Sequence, residues 1–424
     1  MEPVFSSSTD ILVAGGGPAG VAAAIAAARL GANVVLVEHY GFLGGMATAG
    51  FVFPFMTHYA GDRPIIDGIW GEMITRLTAY PHGFKASTHL GMRHFCFDLE
   101  GLKQIWLDMC CAAGVRLQLH TYISDALTEG NRVVGIVTHS KSGREEIFAR
   151  VVIDATGDGD VAARAGAAFM LGRPEDGFMQ PMSLHFRLSN VDMHRMPSRD
   201  EINALYMRDK AAGLITNPRE NLLWFDTTYP DQVHFNTTRI IKVDGTNRDD
   251  LTAAEIEGRR QTHELVAWII HTIPGFEQSF LLSTAPQVGV RETRRIIGEH
   301  IVTEEELLKL TRFPDAIACG AYPVDIHNPT GAGTVMKHLA YGDYYTIPYR
   351  ALVPIGTEGL LVAGRPISTT HEAHSATRIQ AVSSATGQAA GTAAALTLAA
   401  NITPRAIDVS ELRTALRAQH ALVD

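Results

Sequence analysis

The feature that most constrains this chain is a glycine turn set between a strand and a helix near its start. Ile11 to Ala14 form a short apolar run that passes through Gly15-Gly16-Gly17-Pro18-Ala19-Gly20 into the helix-forming tract Val21 to Ala28. Gly31 stops that helix, and Asn33 to Glu38 reads as a second buried strand ending in an acid. The result is a βαβ unit. Gly15, Gly17 and Gly20 take the three fingerprint positions: a tight turn, a bare backbone that a pyrophosphate can approach, and close contact of helix with strand. Pro18 and Ala19 open the helix, whose N-terminal dipole and free N–H groups face the phosphates. Glu38, with His39 beside it, is placed to meet ribose hydroxyls at the end of the second strand.

A chain of 424 residues exceeds what one compact core usually supports, so two structural regions are expected. Its 46% hydrophobic and 19% charged residues describe an ordinary globular α/β protein. The net charge of −9 argues against a protein built to grip nucleic acid or an anionic membrane. Cys96, Cys110, Cys111 and Cys319 show no CxxC spacing, which removes the zinc-finger and redox-dithiol readings and fits a reducing cytoplasm. The start of the chain lacks the basic and apolar regions of a signal peptide. The alanine-rich segment Ala381 to Ala400, with Gly387-x-x-x-Gly391, reads as a buried helix lying against another backbone and not as a membrane span.

Further on, Val115 to Leu119, Arg132 to Thr138 and Ile147 to Ile153 read as a β-meander returning to the sheet. Gly172 to Tyr341 has no βαβ rhythm and reads as an inserted α+β substrate or cap region. The expected architecture is therefore α/β: a Rossmann-type domain of residues 1–171 plus 342–424, with a central parallel sheet and a meander, interrupted by residues 172–341.

The fingerprint alone does not separate NAD from FAD. A second glycine-rich loop, Gly41 to Gly50, favours FAD, because a long dinucleotide lying extended has a use for it. Two later segments add to this: Val151-Val152-Ile153-Asp154-Ala155-Thr156-Gly157-Asp158-Gly159-Asp160, and Leu361-Val362-Ala363-Gly364-Arg365 followed by Ser375-Ala376-Thr377-Arg378. Together with Gly289-Val290-Arg291-Glu292-Thr293-Arg294-Arg295 they resemble the glutathione-reductase-type flavoproteins. More narrowly, the chain resembles the bacterial FAD-dependent oxidoreductase family, distantly similar to fumarate reductase and succinate dehydrogenase flavoproteins.

The resemblance implies that Gly15, Gly17, Gly20 and Glu38 bind the ADP half of a non-covalent FAD, and that Gly44, Gly45, Met46 and Ala47 run beside its pyrophosphate and ribityl chain. It implies that Ala155, Thr156 and Gly157 close over the adenosine end, that Gly364 and Arg365 reach the middle, and that the C-terminal helix with Arg378 faces the flavin's pyrimidine edge. No second Rossmann unit for NAD(P)H follows a strand elsewhere, since Gly331-Ala332-Gly333 comes after Asn328-Pro329-Thr330.

On the substrate side, transfer of a hydride needs a group to take or give a proton, or a cation to hold an anionic centre. His371 and His374, in an expected loop, are the first candidates for acid or base; the competing reading is loop histidines that bond backbone carbonyls. Their spacing does not fit the metalloprotease helix, so no metal site is expected. Arg291 and Arg295 suit a carboxylate clamp, against a buried pair with Glu292. Tyr349 with Arg350 is a further candidate for the cavity wall, whereas His185, His234 and His327 read as structural. The expected function is hydride transfer between a small polar organic substrate and FAD, with oxygen or another carrier as electron acceptor and the oligomeric state, homo-oligomer included, left open. The alternatives are a flavin monooxygenase or halogenase-like enzyme fed by a separate reductase, and an electron-relay flavoprotein subunit.

Overall fold

In the computed structural model of this chain, residues 5–87 and 93–424 are described. The first four residues, on which the reading of the N-terminus drew, lie outside them. Strand β1 (Phe5–Ala14) runs into helix α1 (Pro18–Arg29) and strand β2 (Val34–Val37), as the glycine turn requires. Ile11 to Ala14 and all of β2 are buried, which is why these strands read as unbroken apolar runs without alternation.

The main sheet continues with β3 (Arg116–Gln118), β4 (Tyr122–Glu129), β5 (Arg132–Ser140) and β6 (Gly143–Asp154). Its order is β3-β2-β1-β6-β5-β4, and strand Leu360–Val362 also pairs with β6. β6 spans the sheet's change of character. Along one edge it pairs with β1 in parallel over its length; along the other, Gly143 to Phe148 meet β5 antiparallel and Val152 to Asp154 meet Leu360 to Val362 in parallel.

The expected meander is thus β4-β5-β6, and its membership is corrected at one end. Residues 116–118 pair with β2 in parallel, as the far edge of the Rossmann half. The meander's first strand, β4, escaped the sequence reading because its half-exposed YISDALTE has no clean alternation.

Beyond β6 the chain builds a second sheet from β7 (Phe186–Ser189), β8 (Trp224–Asp226), β9 (Val233–Phe235) and β10 (Phe280–Thr284), in the antiparallel order β8-β9-β7-β10. Helices α2 (Arg199–Ala211) and α3 (Arg248–Thr272) cover it. Phe186, Phe235, Tyr206, Trp268 and Phe276 form a separate apolar cluster there. A hairpin of β11 (Val324–His327) and β12 (Thr334–Lys337) follows.

Towards its end the chain forms helices α4 (His371–Thr377) and α5 (Gln380–Ala400), and a last helix, Val409–Ala418, follows them. His371 to His374 were expected in a loop; they form the first turn of α4, capped by Thr370, whose hydroxyl accepts from the Ala373 N–H at 3.3 Å. The expected close backbone contact of α5 is found on α1. A Cβ on Gly387 would lie 2.0 Å from the Ala19 carbonyl oxygen, and one on Gly391 2.0 Å from that of Ala23. Alanine on one helix and glycine on the other let the two axes meet backbone to backbone. Among the described residues no helix is long and apolar enough to cross a membrane.

Candidate active site

A single cavity of about 710 Å³ runs from the C-terminal ends of β1, β2 and β6 to the face of the second sheet and the β11–β12 hairpin. Its first end is built from bare backbone. Gly15 has φ +101°, and a Cβ on Gly20 would sit 1.8 Å from the Gly15 oxygen, so turn and helix are locked together behind the wall. Gly17 is different: an added Cβ would find only the Gly45 Cα, at 3.8 Å. Its open side is the cavity, which Gly17, Pro18, Ala19, Gly45 and Met46 line.

The N-terminus of α1 has no side-chain cap, so its leading N–H groups are free for an anion. Glu38 is 4% exposed, and its carboxylate accepts from the Gly16 N–H (2.7 Å) and the Tyr40 N–H (3.0 Å) and pairs with His39 (2.8 Å). A carboxylate has about four acceptor positions, so capacity remains on the cavity side for a hydroxyl. Open glycine backbone, uncapped helix N–H groups and an oriented acceptor at the end of the neighbouring strand fit a dinucleotide's pyrophosphate and ribose.

Asp154, at the end of β6, shapes the neighbouring turn. Its carboxylate accepts from the Thr156 N–H and hydroxyl (3.1 and 2.7 Å) and from the Ala162 N–H (2.8 Å), which brings Ala155, Thr156 and Gly157 to the cavity. Burial pushes its carboxyl up to about 6 in spite of these bonds. Arg365 reaches the cavity with its fork already committed: Nε donates to Gly157 O (2.7 Å), and the remaining nitrogens hold Asp158 and the Val290 carbonyl. It therefore ties the turn to the segment that presents Arg291. Gly364, at φ +84°, lines the wall nearby, as do Ile379, Gln380 and Ser383 at the start of α5.

The second end is polar and comes mostly from residues that carry no motif. Arg291 donates to the Pro181 carbonyl (2.6 Å) and to Ser183 Oγ (2.9 Å). Tyr322 donates its hydroxyl to Asp325 Oδ2 (2.8 Å), and His327 Nε2 lies 3.4 Å from the same oxygen. Burial alone would raise the Asp325 carboxyl, but His327, Arg378 and Tyr322 together hold it well below the usual carboxylate range. Burial, with Asp325 adding to it, holds the Tyr322 phenol protonated.

His185 and His327 are both pushed down to about 3, chiefly by burial; Arg291 and Arg219 add repulsion in both cases, and for His327 burial outweighs the opposing attraction of Asp325. Both rings are engaged. Arg187 donates to His234 Nδ1 (3.3 Å), which leaves His234 Nε2 to donate to His185 Nδ1 (3.0 Å). These rings line or back the cavity as neutral, hydrogen-bonded groups.

Several sequence candidates fall elsewhere. Gly20, Gly44 and Ala47 shape the turns from behind and do not line the cavity. His371 is buried on Glu292 (2.8 Å), which also pairs with Arg295; the Arg295 guanidinium bonds the carbonyls of Thr369 (3.1 Å) and Gly172 (2.8 Å) as well. Arg295 thus takes the buried-pair arrangement and not the clamp. His374 is fully buried off the cavity, with neither ring nitrogen hydrogen-bonded among the described residues. Tyr349 donates its hydroxyl to the Pro404 carbonyl (2.9 Å), and Arg350 pairs with Asp315. The 3-10 turn that carries both is turned away from the cavity. The structure therefore brings Arg291 and Arg378 to the wall with the dinucleotide cradle, and leaves His371, His374 and Tyr349 outside it.

The family described as FAD dependent oxidoreductase matches the chain over residues 10–416, and the chain belongs to that family. FAD is its cofactor. No curated protein sequence matches the chain. Among solved structures, a geranylgeranyl bacteriochlorophyll reductase-like protein of Thermoplasma acidophilum is similar at TM-score 0.51 and 14% identity, over 97% of this chain and 83% of that one. The flavin-dependent brominase Bmp2 follows at TM-score 0.49 and 13% identity, over 97% and 83%. The myxobacterial chondrochloren halogenase CndH stands at 0.48 and 14%, over 97% and 79%. The first of these shares the fold; at such identities nothing about substrate follows.

Proposed function

From membership in the FAD-dependent oxidoreductase family, we propose that this enzyme moves a hydride between FAD and a small polar organic substrate seated at the second-sheet end of the cavity. One observation carries the reading. The cradle that fits a dinucleotide and the polar wall of Arg291, Tyr322, Asp325 and Arg378 belong to one continuous cavity. When bound, the flavin supplies the centre that accepts or returns the hydride.

The chain's own residues have two tasks. Arg291, fixed by Pro181 and Ser183, holds and orients a polar group of the substrate. The Tyr322–Asp325 pair handles the proton that accompanies the hydride. As a C–OH becomes C=O, its proton goes to Tyr322 Oη while the tyrosine's own proton passes to Asp325 Oδ2; in the reducing direction both transfers reverse. Burial of the pair keeps competing water away from that exchange. The start of α5, where Ile379, Gln380 and Ser383 line the same cavity as the cradle, supports placing the flavin there.

The test is the absorption spectrum of the purified protein, then chromatography of what denaturation releases, then anaerobic mixing with panels of hydroxy and amino compounds. Released FAD and bleaching by one substrate class support the reading. FAD that no organic donor bleaches, but that a separate reductase does, would replace it with the reductase-fed or electron-relay alternative.

A further inference from the structure

The second-sheet wall carries more positive charge than its own acids balance. Arg219 and Arg239 are 4% and 2% exposed, Arg291 and Arg378 are half-buried, and the carboxylates facing them are Asp325 and Glu220. Two of the four guanidinium groups are accounted for by the protein. Arg239 pairs with Glu220 (3.1 Å) and donates to Gly331 O (3.0 Å) and His327 Nδ1 (3.3 Å), and Arg291 is held as described.

The other two are not. Arg219 spends its Nε on Asn221 Oδ1 (3.0 Å) and leaves a buried Nη1 without a partner among the described residues. Arg378 makes no side-chain hydrogen bond to any described residue, and its Nε is buried. Both line the cavity, and Arg291 lies within electrostatic reach of both. A buried charged donor without an acceptor is strongly unfavourable, and its persistence points to an acceptor that arrives with a ligand. The cofactor's phosphates have their own donors at the start of α1, at the other end of the cavity. A planar fork with unmet N–H groups matches a carboxylate best.

We propose that the substrate is a carboxylic acid, whose carboxylate is bound by Arg219 and Arg378 on the second-sheet wall with Arg291 beside them. This rests on the reading of the cavity's second end as the substrate site. The acid or hydroxyl-bearing carbon then lies within the same wall as Tyr322, so charge recognition and proton transfer are served from one side.

The experiment titrates the FAD-bound protein with acetate, benzoate and succinate, with the neutral acetamide and benzamide, and with inorganic phosphate, reading the shift of the visible flavin band. The carboxylates are expected to bind saturably and the amides at least about tenfold more weakly. Arg219→Gln should weaken benzoate roughly ten- to a hundredfold while FAD content and benzamide binding stay as they were. Should Arg219→Gln fail to fold, Arg219→Lys, which keeps the charge but loses the planar fork, is expected to weaken benzoate in the same direction with FAD content unchanged. Equal binding of acids and amides, unchanged benzoate affinity in the variant, phosphate tighter than every carboxylate, or no response to any acid overturns the proposal. A protein that carries FAD and is bleached by uncharged substrates loses only this inference; one whose flavin no small molecule reduces loses the proposed function itself.

Discussion

Acidification should unfold this protein well above the range where carboxylates titrate, because it buries neutral histidines. His58 is pushed down to about 4 and His185 and His327 to about 3, in each case chiefly by burial, and His234 and His374 lie well below the ordinary imidazole value for the same reason. In the unfolded chain each takes up a proton near its ordinary value of about 6.5, whereas in the fold it stays neutral until much lower pH. The stability tied to their neutral state is therefore complete above about pH 7 and is lost as pH falls towards the folded values. One unit below the ordinary value each costs about 1.4 kcal/mol, so five approach roughly 7 kcal/mol, the size of a typical domain's whole stability.

Asp154 runs the other way. Its raised carboxyl favours the fold as pH drops below about 6, offsetting about 1 kcal/mol at pH 5.5. Urea unfolding of the FAD-bound protein between pH 8 and pH 5, at fixed ionic strength and excess FAD, measures the sum. The free energy should fall steeply below pH 7, with a slope that corresponds to several protons taken up on unfolding. His58, whose Nδ1 has no partner among the described residues and whose ring sits 4.5 Å from Phe95, is the control: His58→Leu should remove about one proton from that slope. Stability that is flat or rises between pH 7 and pH 5.5 would refute the reasoning.

Gly17→Val should leave the fold intact by circular dichroism, since a Cβ there meets nothing closer than 3.8 Å, yet abolish FAD retention by filling the space the phosphates need; a yellow variant at full occupancy would sink the cradle assignment. Tyr322→Phe should slow anaerobic flavin reduction about 10²- to 10⁴-fold with FAD still bound, and an unchanged rate would remove the tyrosine from the proton route. Asp154→Asn should cost about 1–3 kcal/mol in urea unfolding, because an amide turned either way sets a donor against the N–H of Thr156 or of Ala162. Unchanged stability there would mean that the turn is held by something else.

The first end of the site was legible because its chemistry is written in consecutive residues. A pyrophosphate needs bare backbone at one turn, so Gly15, Gly17, Pro18 and Glu38 fall within a single βαβ unit and carry a period and a spacing. At the second end only Arg291 and Arg378 were legible, because the other side chains converge from His185 ahead of β7, the 219–236 stretch and residues 322–327 at the β11–β12 hairpin. No short window contains two of them in a telling pattern, and Tyr322, Asp325, Arg219 and Asn236 are each unremarkable in sequence. His371 and His374 misled for the converse reason. Their neighbourhood in sequence to Arg378 placed them near the cavity, but the first turn of α4 points them into the interior, His371 to Glu292 and His374 to a fully buried position where neither ring nitrogen is hydrogen-bonded among the described residues. The same holds for β4, whose pairing with β5 is decided by the neighbouring strand and not by its own composition.

The contact of Gly387 and Gly391 with Ala19 and Ala23 has a mechanical meaning. The helix that opens the phosphate cradle and the helix whose first residues edge the cavity's other end are clamped at a separation that leaves no room for even one methyl group. They act as the two jaws of a caliper set at one width. A ligand spanning both must fit that width, and the width is set largely from the hidden side of the wall, where Ala23, Gly387 and Gly391 do not line the cavity.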